Sequence, residues 1–130
     1  VGVSFGDSIL LRGYDLEVGG SELHLTLYWQ GRAPVLDRYK IFVHLVSSSS
    51  GQEIRAQADI WPRVPTTSWL QGEYLSERVD LPLPSDLPAG EYELRTGLYT
   101  EVGGRRLPVM DAQGRAMGDS LVLTTVHLGE

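Results

Sequence analysis

Between residues 56 and 73 the chain reads AQADIWPRVPTTSWLQGE, which sets two tryptophans, two prolines and a threonine pair between stretches that alternate like β-strands. Tryptophan carries a large apolar face and one N–H donor, so it can plug the end of a core or offer a flat platform to the C–H face of a sugar ring. Trp61, Trp69 and Tyr74 flank the loop, with Asp59, Arg63, Thr66, Thr67 and Glu73 beside them as hydrogen-bonding groups. An apolar platform with a few convergent polar groups is what a saccharide site requires. The opposing reading is packing, because tryptophans between strands commonly cap a core. Both readings stand for Trp61, and packing is the favoured one for Trp69. The candidate ligand-binding set is therefore Trp61, Trp69, Tyr74, Asp59, Arg63 and Glu73.

Other chemistries find less support. Gly6-Asp7-Ser8-Ile9-Leu10 looks like the block in which GDSL-type esterases carry a nucleophilic serine, and Gly118-Asp119-Ser120-Leu121 repeats the tripeptide. A serine nucleophile needs a base and oxyanion donors around it. Those esterases also use an asparagine block and a late Asp-x-x-His on an α/β sheet, and this chain has no asparagine and no Asp-x-x-His. Out of that context both blocks read as strand openings. His24, His44 and His127 lie in strand-like runs without His-x-His or His-x-x-x-His spacing, so no zinc site is expected, and His44 reads as a packed imidazole bonded to main chain. A glycosidase needs two carboxyl groups roughly 5–10 Å apart across a cleft. Glu77 with Asp80, or Glu91 with Glu93, could supply such a pair, yet nothing marks a cleft and a solvated sheet face is the simpler account. The acidic segment Asp111–Asp119 lacks the dense oxygen-ligand spacing of a calcium loop and reads as a turn. No catalytic residue, metal or cofactor is assigned.

The elements that must hold these residues are strands. In Glu22–Gln30, Leu23, Leu25, Leu27 and Trp29 share one face while His24, Thr26, Tyr28 and Gln30 share the other, which is the period of a half-buried strand. The same reading covers Ser8–Asp15, Tyr39–Ser47, Glu53–Ile60, Glu73–Leu81, Glu91–Thr100, Arg105–Val109 and Ser120–Leu128. Turn clusters separate them at Val18–Ser21, Ser47–Gly51, Pro84–Gly90 and Val102–Gly104, with Ser47–Gly51 expected as a hairpin tip. No apolar stripe of helical period is present, so parallel sheets with crossover helices are disfavoured. The expectation is an all-β antiparallel two-sheet β-sandwich, Ig-like or jelly-roll, of about eight strands. Its core should contain Leu23, Leu25, Leu27, Trp29, Val79, Leu81, Tyr92, Leu94 and Leu98. The run from Leu81 to Gly90 should leave the sheet and form the long corner from one sheet to the other, delivering the chain into Glu91–Leu94, because proline cannot donate to a ladder.

Composition sets the limits. A chain of 130 residues is about one domain and long enough to bury a core, so residues 1–130 are read as a single domain. The net charge of −6, from 17 acidic and 11 basic residues, argues against nucleic acid, which calls for clustered positive charge. Lys40 is the sole lysine, and the absence of asparagine removes any N-glycosylation acceptor. Without cysteine there are no disulfides and no zinc–thiolate sites. No apolar run approaches the roughly 20 residues of a transmembrane helix. The chain starts at Val1 without an initiator methionine and enters a strand-like run within a few residues, so it is expected to be a domain of a longer protein.

Several short motifs recur in a familiar order: Leu25-Thr-Leu-Tyr-Trp-Gln30, Phe42-Val-His-Leu45, Ala58-Asp59, Pro65-Thr-Thr-Ser-Trp69 with Gly72-Glu73, Leu81-Pro-Leu-Pro84, Gly90-Glu-Tyr-Glu-Leu94 and Gly97-Leu-Tyr99. Together they resemble the C-terminal β-sandwich of bacterial polytopic glycosyltransferases of the dolichyl-phosphate-mannose-protein mannosyltransferase-like superfamily. The likeness spans Phe5 to Val126. In that family the sugar chemistry belongs to the membrane-embedded part, so the resemblance carries no catalytic role onto any residue here. What it implies is place and company: an extracytoplasmic domain tethered to the cell membrane through its parent chain, with the membrane-embedded remainder and glycan as partners. The expected function is that of a non-catalytic accessory domain with weak binding of acceptor glycan. A structural or protein-docking domain without ligand is the alternative, and a free-standing hydrolase a remote third.

Overall fold

A computed structural model describes residues 3–48 and 53–129. Among the described residues ten strands run in chain order as β1 (Val3–Phe5), β2 (Ile9–Val18), β3 (Glu22–Gly31), β4 (Tyr39–Ser47), β5 (Ile54–Ile60), β6 (Tyr74–Pro82), β7 (Gly90–Thr100), β8 (Val109–Met110), β9 (Ala116–Gly118) and β10 (Leu121–Leu128). The one helical element among the described residues is a 3-10 turn at Thr66–Ser68. A six-stranded sheet has the order β6-β3-β2-β1-β8-β9 and a four-stranded sheet the order β10-β7-β4-β5, with antiparallel pairing throughout. The chain is an antiparallel two-sheet sandwich.

The expected strands recur with boundaries shifted by a residue or a few, with one exception. Arg105–Val109 is not a full strand. Arg106 makes an isolated bridge to Tyr99, and regular pairing resumes only at Val109, because Pro108 has no N–H to give to a ladder. The additional strands β1, β8 and β9 hold two or three residues each, too few to show a period in sequence. The expected tip at Ser47–Gly51 falls largely outside the described residues, although β4 and β5 do pair as a hairpin. The expected corner forms between β6 and β7 in the other sheet, but it starts later than expected: Leu81 and Pro82 still pair with Leu23 and Glu22 at the edge, and the chain leaves the sheet only after Pro82.

All nine expected core residues are 0–3% exposed. They meet Ile41, Val43 and Leu45 of β4, and Phe5 packs edge-on to Trp29 with ring centroids 5.4 Å apart. β4 is also covered on its outer face, which explains its nearly continuous apolar run. Phe42 is 1% exposed there, under the Arg106 guanidinium at 4.4 Å and beside the His44 ring at 4.6 Å. Gly97 permits this arrangement, because a Cβ at that position would lie 2.4 Å from the Phe42 ring.

Candidate functional site

The loop from Trp61 to Glu73 carries the chain from β5, at the edge of one sheet, to β6, at the edge of the other. Its fixed shape follows from side chains that satisfy main chain. Thr66 is fully buried; its Oγ1 accepts from the Tyr39 amide at 3.0 Å and donates to the Asp37 carbonyl at 2.7 Å. Trp69 Nε1 donates to the Val64 carbonyl at 2.8 Å, closing the loop on itself. Farther along, the Glu73 amide donates to Leu70 O at 3.0 Å, and Glu73 Oε1 accepts from the Leu70 amide at 3.0 Å. Gly72 sits at φ +84°, the left-handed position such a turn requires. Gly31 then accepts from the Gly72 amide at 2.7 Å, an approach that leaves no room for a Cβ, which would lie 2.5 Å from the Leu70 oxygen.

The two tryptophans take different places. Trp69 is 3% exposed, with its ring 6.4 Å from that of Trp29, so it is part of the core and presents no face to a ligand. This removes it from the candidate platform and fits the packing reading. Trp61 is 41% exposed, and the Arg38 guanidinium and the Lys40 ammonium each lie 5.2 Å from its ring centroid. Beside it opens a groove of about 520 Å³ lined by Thr26, Ile60, Trp61, Arg63, Ser76, Glu77 and Arg78. That volume lies in the range of roughly 300–1,000 Å³ usual for ligand clefts.

Of the candidate set, only Trp61 and Arg63 line this groove. Tyr74 is 66% exposed on β6 and is not among its lining residues. Asp59 projects from the outer face of β5 and accepts from the Tyr99 hydroxyl at 2.6 Å; burial and this bond push the Tyr99 phenol up to about 12. Glu73 is committed to the Leu70 turn. Arg63 is held by two bonds: its amide donates to Glu77 Oε2 at 3.0 Å and its Nη2 to the Ser76 carbonyl at 2.7 Å.

Arg78, Arg38 and Lys40 were not candidates from sequence, and Glu77 was one only as half of a carboxylate pair with Asp80, although some carried a signal for this groove. Glu77 falls in phase with Val79 and Leu81, and a carboxylate on the buried face of a strand demands a partner. It is 3% exposed and finds the Arg63 amide, with Arg63 Nε 3.8 Å away. Arg38 and Lys40 are two apart and so project to one side, but only the β4–β5 pairing brings Trp61 next to them. Arg78 Nε donates to Asp80 Oδ1 at 2.9 Å, and Asp80 also bonds His24 Nδ1 at 2.8 Å. These two bonds, His24 first, hold the Asp80 carboxyl below its usual range.

The catalytic candidates set aside from sequence have ordinary partners. Ser8 Oγ donates to the Pro34 carbonyl at 3.3 Å. His44 makes a ring contact with Phe42 in place of the expected main-chain bond. Glu93 is bound by Arg95, and Asp111 Oδ1 accepts the Gln113 and Arg115 amides, each at 2.9 Å, as a turn. A second hollow of about 480 Å³, with Ser4, Asp7, Arg32 and Met110 among its walls, has no aromatic ring among its lining residues. Among the described residues no group of three or more His, Asp or Glu side chains is placed to hold a metal ion, and no helix is long and apolar enough to cross a membrane. No protein-family model matches the sequence, and no curated protein matches it at a significant level.

Proposed function

We propose that the chain is a non-catalytic accessory β-sandwich that binds saccharide weakly in the groove beside Trp61. The observation that carries this reading is the division of labour between the tryptophans: Trp69 is spent on the core, while Trp61 is 41% exposed at the mouth of a groove with polar walls. A single stacked ring with a few hydrogen bonds supports a dissociation constant on the order of 0.1–1 mM. The order of motifs from Phe5 to Val126 supports placing the domain at the end of a polytopic glycosyltransferase, on the extracytoplasmic side, where tethering raises the effective concentration of a bound acceptor to roughly millimolar. Weak affinity is sufficient in that setting.

A titration with a panel of oligosaccharides, followed by tryptophan fluorescence and amide chemical shifts, tests the reading. Trp61→Ala should abolish the response and leave the thermal midpoint nearly unchanged, whereas Trp69→Ala should lower stability by about 3–5 kcal/mol through the core cavity it leaves. A second reading, docking onto the membrane-embedded remainder of a parent chain, is favoured by Leu36 and Val102. They are 88% and 81% exposed and line one hollow. Silence of the whole panel at millimolar sugar would transfer the function to that surface.

A further inference from the structure

On a chain whose net charge is −6, cations outnumber carboxylates around the groove beside Trp61: two arginines and one carboxylate line it, and two further cations lie against the Trp61 ring. Arg63 and Arg78 line it, and Arg38 and Lys40 lie against the indole ring, within the roughly 6 Å over which a cation and a ring attract. The carboxylates nearby are committed: Glu77 is 3% exposed and bonded to the Arg63 amide, Asp59 holds the Tyr99 hydroxyl, and Asp80 is shared by Arg78 and His24. Arg38 faces Glu101 at 3.8 Å with both side chains about half exposed, a pair of little strength. Lys40 has no carboxylate partner among the described residues.

Lysine and arginine only donate hydrogen bonds. A neutral sugar hydroxyl both donates and accepts, so a neutral pyranose on Trp61 would find the Thr26 and Ser76 hydroxyls as acceptors against a larger number of cationic N–H donors. An anionic oxygen only accepts, and its bonds to ammonium and guanidinium groups are the stronger, charge-assisted kind. We infer that the Trp61 groove selects a saccharide carrying a negatively charged group, a carboxylate or a phosphate, over its neutral counterpart. This rests on the saccharide reading of the same groove.

The test uses the 130-residue chain and matched probes: tetragalacturonate against its methyl ester, with glucose 1-phosphate, glucuronate and inorganic phosphate as separate arms. At low salt tetragalacturonate should bind about five- to tenfold more tightly than the ester, the ratio that one or two exposed charge pairs produce. The advantage should fall below about twofold at ~0.5 M NaCl. The double variant Arg38→Met, Lys40→Met, which keeps the apolar stems against the ring, should weaken tetragalacturonate more than the ester and bring the ratio of their affinities to about one. A response to glucuronate alone or to glucose 1-phosphate alone supports the inference and names the anion. Equal, Trp61-dependent affinity for acid and ester overturns it while the saccharide reading stands. Inorganic phosphate competing as well as glucose 1-phosphate overturns it in favour of a bare anion site, and no response to any saccharide overturns both readings.

Discussion

His44 shows how one side chain on the outer face of β4 links packing to pH. Its half-buried ring lies on Phe42, and burial, with Arg106 next in weight, lowers its pKa below the ordinary 6.5; Asp59 opposes this and Arg95 adds to it. A histidine whose folded pKa is depressed favours folding above the unfolded value, because both states are then neutral. Below that value the unfolded chain takes up the proton first, and stability is lost as pH falls toward and through the folded pKa. The thermal midpoint should therefore decline on acidification from about pH 7 to about pH 5, and His44→Gln should make that decline shallower. Identical slopes for the two proteins would mean that His44 does not contribute. The same neighbourhood explains why sequence suggested a main-chain bond instead: the ring that covers Phe42 and the arginine above it come from β4 and from residue 106, which are far apart in the chain.

At the scale of elements, strands were legible and their irregularities were not. Alternation located β3 almost to the residue, because one face is packed and the period repeats four times, and β4 was bounded as closely although both its faces are covered and its apolar run is nearly continuous. In β2 the pairing slips between Leu11 and Gly13, so Ile9 and Leu11 face the core before the bulge at Arg12 and Tyr14 and Leu16 after it. A single period cannot describe both halves. The 61–73 loop was legible as ordered from its prolines and tryptophans, and Trp69 was the favoured core residue, but the exposure of Trp61 was left open, because its neighbours Arg38 and Lys40 lie far away in the chain. Thr66→Val removes the hydroxyl that bonds both Tyr39 N–H and Asp37 C=O at a fully buried position. Leaving those groups unpaired should cost about 1–3 kcal/mol, read as a lower urea midpoint with an unchanged slope. A midpoint equal to that of the parent would show that the loop is held by Trp69 and its neighbours alone.

Across the whole molecule the two sheets share one core. Leu27 comes from the six-stranded sheet and Leu94 from the four-stranded one, both fully buried in the same cluster. The chain crosses between the sheets at β3–β4, β5–β6, β6–β7 and β7–β8 and returns at β9–β10, so neither sheet is a contiguous stretch that could keep its inner face covered alone. A shared core of this kind unfolds as a unit. Leu27→Ala and Leu94→Ala should each cost about 2–5 kcal/mol from lost burial and the cavity left behind. Because the most protected amides open only with the core, either substitution should speed their hydrogen exchange in both sheets by the same factor. Acceleration confined to the sheet that carries the substitution would show that the sheets open separately, and the groove beside Trp61, whose walls come from strands of both, would then lose its shape whenever either sheet opened.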